Sequence, residues 1–284
     1  MHYKGRFAPS PTGPLHLGSL LAALISYIDA RSNNGSWLVR IEDIDPPREA
    51  PGASESILNT LEAYGFEWDE PVVYQSKRYD LYESKLKHLL DEKHCYYCPC
   101  SRKEMAELNG GHLPECGYHS HNTRPNSAIK FRSNTQPRHW NDLFKGPISA
   151  RSESDFVLKR KDALYAYQLA VVTDDIDQGI THVLRGADLL DSSPMQLELY
   201  KAFSTTPPKF GHFPLIKNSD GQKLSKQNLA PAISQRDIMS NLRELCRMIG
   251  LDFYKADSPK DLLNTLTEQW HYDVLQGHTE YLFS

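Results

Sequence analysis

The chain has 284 residues, 39% of them hydrophobic and 24% charged, with a formal net charge of −4. This composition supplies a sizeable core in one large domain, or in a main domain with appendages, and excludes a disordered or low-complexity chain. The longest apolar stretch, near Leu20 to Ile28, is too short to span a bilayer, and the N-terminus MHYKGRF lacks the apolar run of a signal peptide, so a cytoplasmic protein with no membrane partner is expected.

Lys4 to Ala8 reads as a first strand. The Pro/Gly-rich turn PSPTGPLHLGS (Pro9 to Ser19) leads from it into an apolar helix over Leu20 to Arg31, closed by Asn33-Asn34-Gly35. The turn places His16 and Gly18 at a helix N-terminus, whose unpaired N–H groups and partial positive charge suit phosphate. Trp37 to Glu42 is a largely apolar strand, expected to be buried on both faces. Helices follow over Ser54 to Tyr64, with Gly65 just past the end, and from Ser76 onward. This alternation predicts an α/β fold with a Rossmann-type parallel sheet. Its first half covers 1–94.

Residues 95–126 interrupt the alternation and read as an inserted loop organised by metal. Four of the five cysteines lie between Cys95 and Cys116, and in a cytoplasmic chain such clustering points to metal before disulfide. Cys98, Cys100, His112 and Cys116 follow the pattern C-x-C-x11-H-x3-C, which suits one closed, structural tetrahedral Zn2+ site. Cys95, His119 and His121 are rival ligands, and a loop of free thiols is the plain alternative. Cys246, on a helix with Ile238, Leu242, Leu245 and Ile249, is a small core residue.

Residues 127–230 form the second half of the sheet domain. Sheet-like segments resume at Ala128 to Arg132 and Phe156 to Arg160, alternation returns with Leu164 to Thr173 and Thr181 to Leu184, and a helix runs from Ser193-Pro194 to about Phe203. The run Lys159-Arg160-Lys161 is either a phosphate-binding patch or a solvated strand end. Lys223 to Gln227 read KLSKQ, a loop able to bring Lys223 and Lys226 to the same phosphates. Residues 231–284 read as a small helical appendage.

Together the two loops resemble the signature sequences of class I aminoacyl-tRNA synthetases, HIGH and KMSKS in their commonest forms. Ser19 stands at the last His and Gln227 at the last Ser, while both lysines are kept. RFAPSPTGPLHLGS, RIEDID, DDIDQGITHVLRGADLL and KLSK, in that order over roughly residues 4 to 230, are similar to the glutamyl-tRNA synthetase group. EDIDPPRE (Glu42 to Glu49) and the short length resemble the branch of that group that lacks an anticodon-binding domain.

The resemblance implies an ATP-dependent ligase that forms glutamyl-adenylate without tRNA and passes glutamate to the queuosine base of tRNA(Asp). His16, Lys226 and Lys223 would be catalytic, with Pro9, Gly13, His16, Gly18, Ser19 and Lys226 at ATP and Mg2+ carried by ATP. Arg6, Ala8, Ser10, Glu42, Tyr167 and Arg185 would form the L-glutamate pocket. The residue types agree: a side-chain carboxylate needs a planar cation such as Arg6 or Arg185, and an α-ammonium needs an anion such as Glu42. The bland readings are a structural ion pair of Arg185 with Asp188 or Asp191, and a strand-end surface acid at Glu42. A monomer is expected. Ordinary tRNA charging, a catalytically silent glutamate- or ATP-binding protein, and a nucleotidyltransferase are the rival functions.

Overall fold

The computed structural model describes residues 2–114, 116–119, 126–217, 232–233, 236–253, 256–276 and 280–282. In chain order the elements are β1 (Lys4–Phe7), α1 (Leu17–Ser32), β2 (Ser36–Ile41), α2 (Ala53–Ala63), β3 (Val73–Tyr74), α3 (Tyr79–Asp91), β4 (Cys95–Cys98) and α4 (Arg102–Glu107). They continue with β5 (Ala128–Phe131), β6 (Arg138–Asp142), β7 (Gly146–Ala150), β8 (Phe156–Lys159), α5 (Tyr167–Asp177) and β9 (His182–Gly186). The last are α6 (Ser193–Ala202), β10 (Lys209–Phe213), β11 (Leu215–Lys217), α7 (Ile238–Ile249), α8 (Pro259–Gln269) and β12 (Glu280–Leu282).

The parallel sheet forms as two blocks. In one, β1 packs against α1 and pairs with β2, Lys4 opposite Ser36, and β2 pairs onward to β3 with Arg40 opposite Val73. In the other, β9 pairs with β10, His182 opposite Lys209. Thr181 joins them: its N–H donates to the Lys4 carbonyl, its hydroxyl accepts from the Lys4 N–H, and its own carbonyl accepts from Lys209. The resulting order β3-β2-β1-β9-β10 reverses direction between β1 and β9, the place where open α/β sheets bind ligands.

β5 and β8 do not extend this sheet. They join β4 in an antiparallel sheet, Cys95 opposite Phe131 and Ile129 opposite Lys159. The β6–β7 hairpin, invisible as a separate unit in the sequence, docks on β10 through the Leu143 N–H and the Phe210 carbonyl.

The apolar reading of α1 holds on nearly every side: Leu20, Leu24, Ile25 and Ile28 are fully buried. Leu242, Leu245 and Ile249 of α7 and Leu262 and Leu266 of α8 share its cluster, and so does Cys246. Asp29 on the same helix accepts from the Trp270 indole at 2.8 Å and from the Tyr3 hydroxyl, tying the C-terminal helices to β1. Among the described residues, no helix is long and apolar enough to cross a membrane.

Candidate active site

The helix begins three residues earlier than the sequence suggested, and His16 is its N-cap. Its Nδ1 accepts from the Ser19 N–H at 3.3 Å, while the Ser19 hydroxyl oxygen accepts from the His16 N–H at 2.8 Å, a reciprocal capping box. Ser19, where the family signature has its last His, therefore fixes the ring and the terminus together. Pro9, His16, Gly18 and Ser19 line a cavity of about 470 Å3, with Gly186, Phe213 and Ile216 on the far side. Gly13 does not line it; its φ of 145° shapes the turn instead, in a region where side chains are rarely tolerated.

Lys223, Lys226 and Gln227 lie outside the described residues. Both flanks of their segment are placed, however. β11, whose Leu215 and Ile216 line the cavity, ends at Lys217, and on the other side Ala232 bridges to His16 and Ile233 donates to the Leu15 carbonyl.

Arg6, Ala8, Ser10, Glu42, Tyr167 and Arg185 all line a second cavity of about 320 Å3, so the structure brings the six together. The two cavities share Ala8, Ser10, Ala22 and Gly186. Arg6 is neutralised inside the protein by Asp175, in contacts of 3.3 and 3.4 Å. Arg185 is different. It is buried, yet its partners are the neutral His212, Gln196 and Ser193, and none is Asp188 or Asp191. Among the described residues no carboxylate pairs with it, which leaves its charge available to an anion. Glu42 is partly buried, 3.6 Å from Arg40, and its Oε1 has no hydrogen-bond partner among the described residues. Burial pushes its carboxyl up to about 7, against the pull of Arg40 and Arg6. One cavity thus holds an unneutralised guanidinium and an under-satisfied carboxylate.

Sequence reading missed the support beneath this pocket. Arg40 is completely buried in the strand read as apolar, and reaches Asp175 at 2.8 Å and Gln178 at 2.7 Å. Asp174 accepts from Gln75, Arg78 and Tyr82. The signal was present in DDID on α5, whose two adjacent carboxylates face inward because charged partners meet them.

The model of the class I tRNA synthetase (E and Q) catalytic domain matches residues 3–267. The chain belongs to that family. It is 45% identical to the glutamyl-Q tRNA(Asp) synthetase of Vibrio cholerae, over 97% of this chain and 92% of that protein. It is 49% identical to the protein of that name from Chromobacterium violaceum, over 87% and 86%. A solved glutamate tRNA ligase from Elizabethkingia meningosepticum, in complex with its amino acid, superposes with a TM-score of 0.81 at 26% identity, covering 100% of this chain and 67% of that one.

In this class I synthetase the insertion carries a compact ligand set. The Sγ atoms of Cys98, Cys100 and Cys116 lie 3.7, 3.7 and 3.5 Å from His112 Nδ1, and the four ligand atoms all fall within 4.8 Å of one another. Ordinary Zn–S and Zn–N bonds at a tetrahedral angle give a sulfur–nitrogen separation of about 3.6 Å, so the donor set fits zinc. The second ring nitrogen of His112 lies 3.2 Å from the Tyr96 hydroxyl, which donates to Asp155 at 2.7 Å, the kind of outer partner that orients a ligating histidine. Cys95 belongs to a different core cluster and His119 is outside the group; His121 lies outside the described residues.

The charges of the basic run are each engaged. Lys159 meets Glu83, Arg160 meets Asp45 and Asp162, and Lys161 donates to the Pro99 carbonyl beside the cysteines.

Proposed function

We propose that this class I synthetase activates L-glutamate with ATP, without tRNA, and transfers it to the queuosine base of tRNA(Asp). One observation carries the reading. A cavity that presents an unneutralised Arg185 and an under-satisfied Glu42 opens on the cavity at the His16 helix terminus. Glutamate carries the complementary groups: a side-chain carboxylate for Arg185 and an α-ammonium for Glu42. The names of the near full-length relatives favour queuosine over ordinary charging.

In this reading the α-carboxylate oxygen of glutamate attacks the α-phosphorus of ATP. The bond to the bridging oxygen breaks, pyrophosphate leaves, and glutamyl-adenylate remains. Negative charge grows on the phosphates, and the α1 N-terminus, His16 and Lys226 stabilise it more in the transition state than in the ground state, with Lys223 assisting. Mg2+ arriving with ATP neutralises part of the same charge. A nucleophile on the base then attacks the acyl carbon, and AMP leaves. A third cavity, of about 260 Å3, shares Ser10, Glu42, Arg48 and Tyr167 with the glutamate pocket and gives the base an approach to the acyl group. Cys98, Cys100, His112 and Cys116 would hold Zn2+, which would keep the insertion in shape.

Transfer is tested with labelled glutamate and tRNA from cells that make queuosine or lack it. Label is expected on tRNA(Asp) from the first source alone; equal labelling of both would point to the 3′ end. The pocket also has a pH signature. Only ionised Glu42 attracts an ammonium, and its pKa is raised to about 7. Glutamate affinity should therefore strengthen as pH rises from about 6 to about 8 and level off above, and Glu42→Gln should weaken and flatten the profile. A wild-type affinity that weakens over that range would contradict the assignment of Glu42.

A further inference from the structure

Arg185 lines the pocket, and its buried partners continue inward as a chain that reaches Asp142. Its Nε donates to His212 Nε2 at 2.9 Å, Nη1 to Gln196 Oε1 at 2.7 Å, and Nη2 to Ser193 Oγ at 2.9 Å. A guanidinium has five N–H bonds, so two remain, one on each Nη. Three acceptors and the Phe210 ring, 4.9 Å from the guanidinium carbon, hold the group still.

Behind His212 stands Asp142, whose Oδ2 lies 2.5 Å from His212 Nδ1. The carboxylate accepts a hydrogen bond from Nδ1–H, so Nε2 keeps its lone pair for Arg185. Asp142 is itself fixed: its Oδ1 accepts from the N–H groups of Phe144, Lys145 and His212. Gly211 makes the approach possible, since a Cβ there would come within 2.6 Å of Leu184 and 2.8 Å of the Phe144 ring. Asp142 and His212 are fully enclosed, and no cavity described above reaches either of them. Nucleophilic chemistry by Ser193, 3.2 Å from His212 Nε2, therefore has no room for a substrate.

We infer that His212, set in one tautomer by Asp142, is the positioning residue that aims Arg185 at a ligand carboxylate while leaving its charge unneutralised. The imidazole is the essential spacer. A carboxylate touching Arg185 directly would fix the group equally well but would cancel the charge that selects an acid over an amide. Asp142, one ring away, orients without neutralising. Burial lowers the His212 pKa, in keeping with a neutral ring.

The inference rests on the glutamate reading of the pocket, and its test separates the two. His212→Leu removes the acceptor at similar volume; His212→Gln can accept from Arg185 and donate to Asp142. In ATP–pyrophosphate exchange, His212→Leu is expected to raise the glutamate KM by at least about tenfold, with the ATP KM nearly unchanged and most of the loss recovered in His212→Gln. An unchanged glutamate KM, a parallel rise for ATP, or no recovery by Gln would overturn the positioning role. Absence of glutamate-dependent exchange in the wild type would instead remove the glutamate reading. A measurement on the unaltered protein guards against a variant that does not fold. Nitrogen NMR of His212 near neutral pH should show protonated Nδ1 and bare Nε2; a protonated Nε2 would overturn the inference whatever the substrate.

Discussion

Replacing Arg185 by Lys is expected to raise the glutamate KM by about 10- to 100-fold while leaving the ATP KM close to the wild-type value. An ammonium can donate to the pocket, but it cannot at once satisfy His212, Gln196 and Ser193 and still present two parallel N–H bonds to a carboxylate. Some of those buried acceptors would be left unpaired, and the charge would become a point on a flexible stem. Arg6→Lys makes the contrast, because Asp175 already neutralises Arg6. Its effect should fall on folding stability as well as on glutamate. Steady-state exchange kinetics of both variants, with thermal melts alongside, check this. Equal glutamate KM values for Arg185→Lys and wild type would remove Arg185 from the pocket.

Stripping the metal is expected to loosen the insertion and spare the parallel sheet. The apolar cluster around the ligands is small: Tyr96 and the three cysteines, with Met105 and Leu113 against it. Such a cluster cannot hold a loop by burial alone, so a bound metal would take the place of a core. The wild type should carry about one zinc per chain, as a single tetrahedral set allows. Cys100→Ser or strong chelation should release it and open the segment from Cys98 to Cys116 to proteolysis. The main core around α1 contains none of these residues and should persist. Metal analysis and limited proteolysis read both effects. A metal-free protein with an equally resistant insertion would exclude the structural role.

What could be read in the sequence follows from the range of each interaction. The α1 entry was legible because a Pro/Gly turn, a cap and an apolar run are local signals, and its start moved by only one turn once Ser19 closed the capping box on His16. The candidate metal ligands were legible because their spacing is local too; what set His112 apart from Cys95 and His119 was distance in space, since of these only His112 lies with the other three. Arg40 was not legible, since a single Arg in an apolar strand looks like a strand end until Asp175 arrives from a helix 135 residues away. The His212–Asp142 pair was hidden for the same reason: its members are 70 residues apart, on a strand and on a hairpin unseen in the sequence. The proposed ligand-facing residues sit in motifs, whereas the buried residues that pack and hydrogen-bond behind them are scattered through the chain.

Glutamate-dependent ATP–pyrophosphate exchange without any tRNA measures directly whether this chain alone activates glutamate. Arg185, Glu42 and the His16 helix terminus in adjoining cavities predict exchange that saturates with glutamate, and the proposed function requires that it need no RNA. Exchange that appears only when tRNA is added, or not at all, would contradict it.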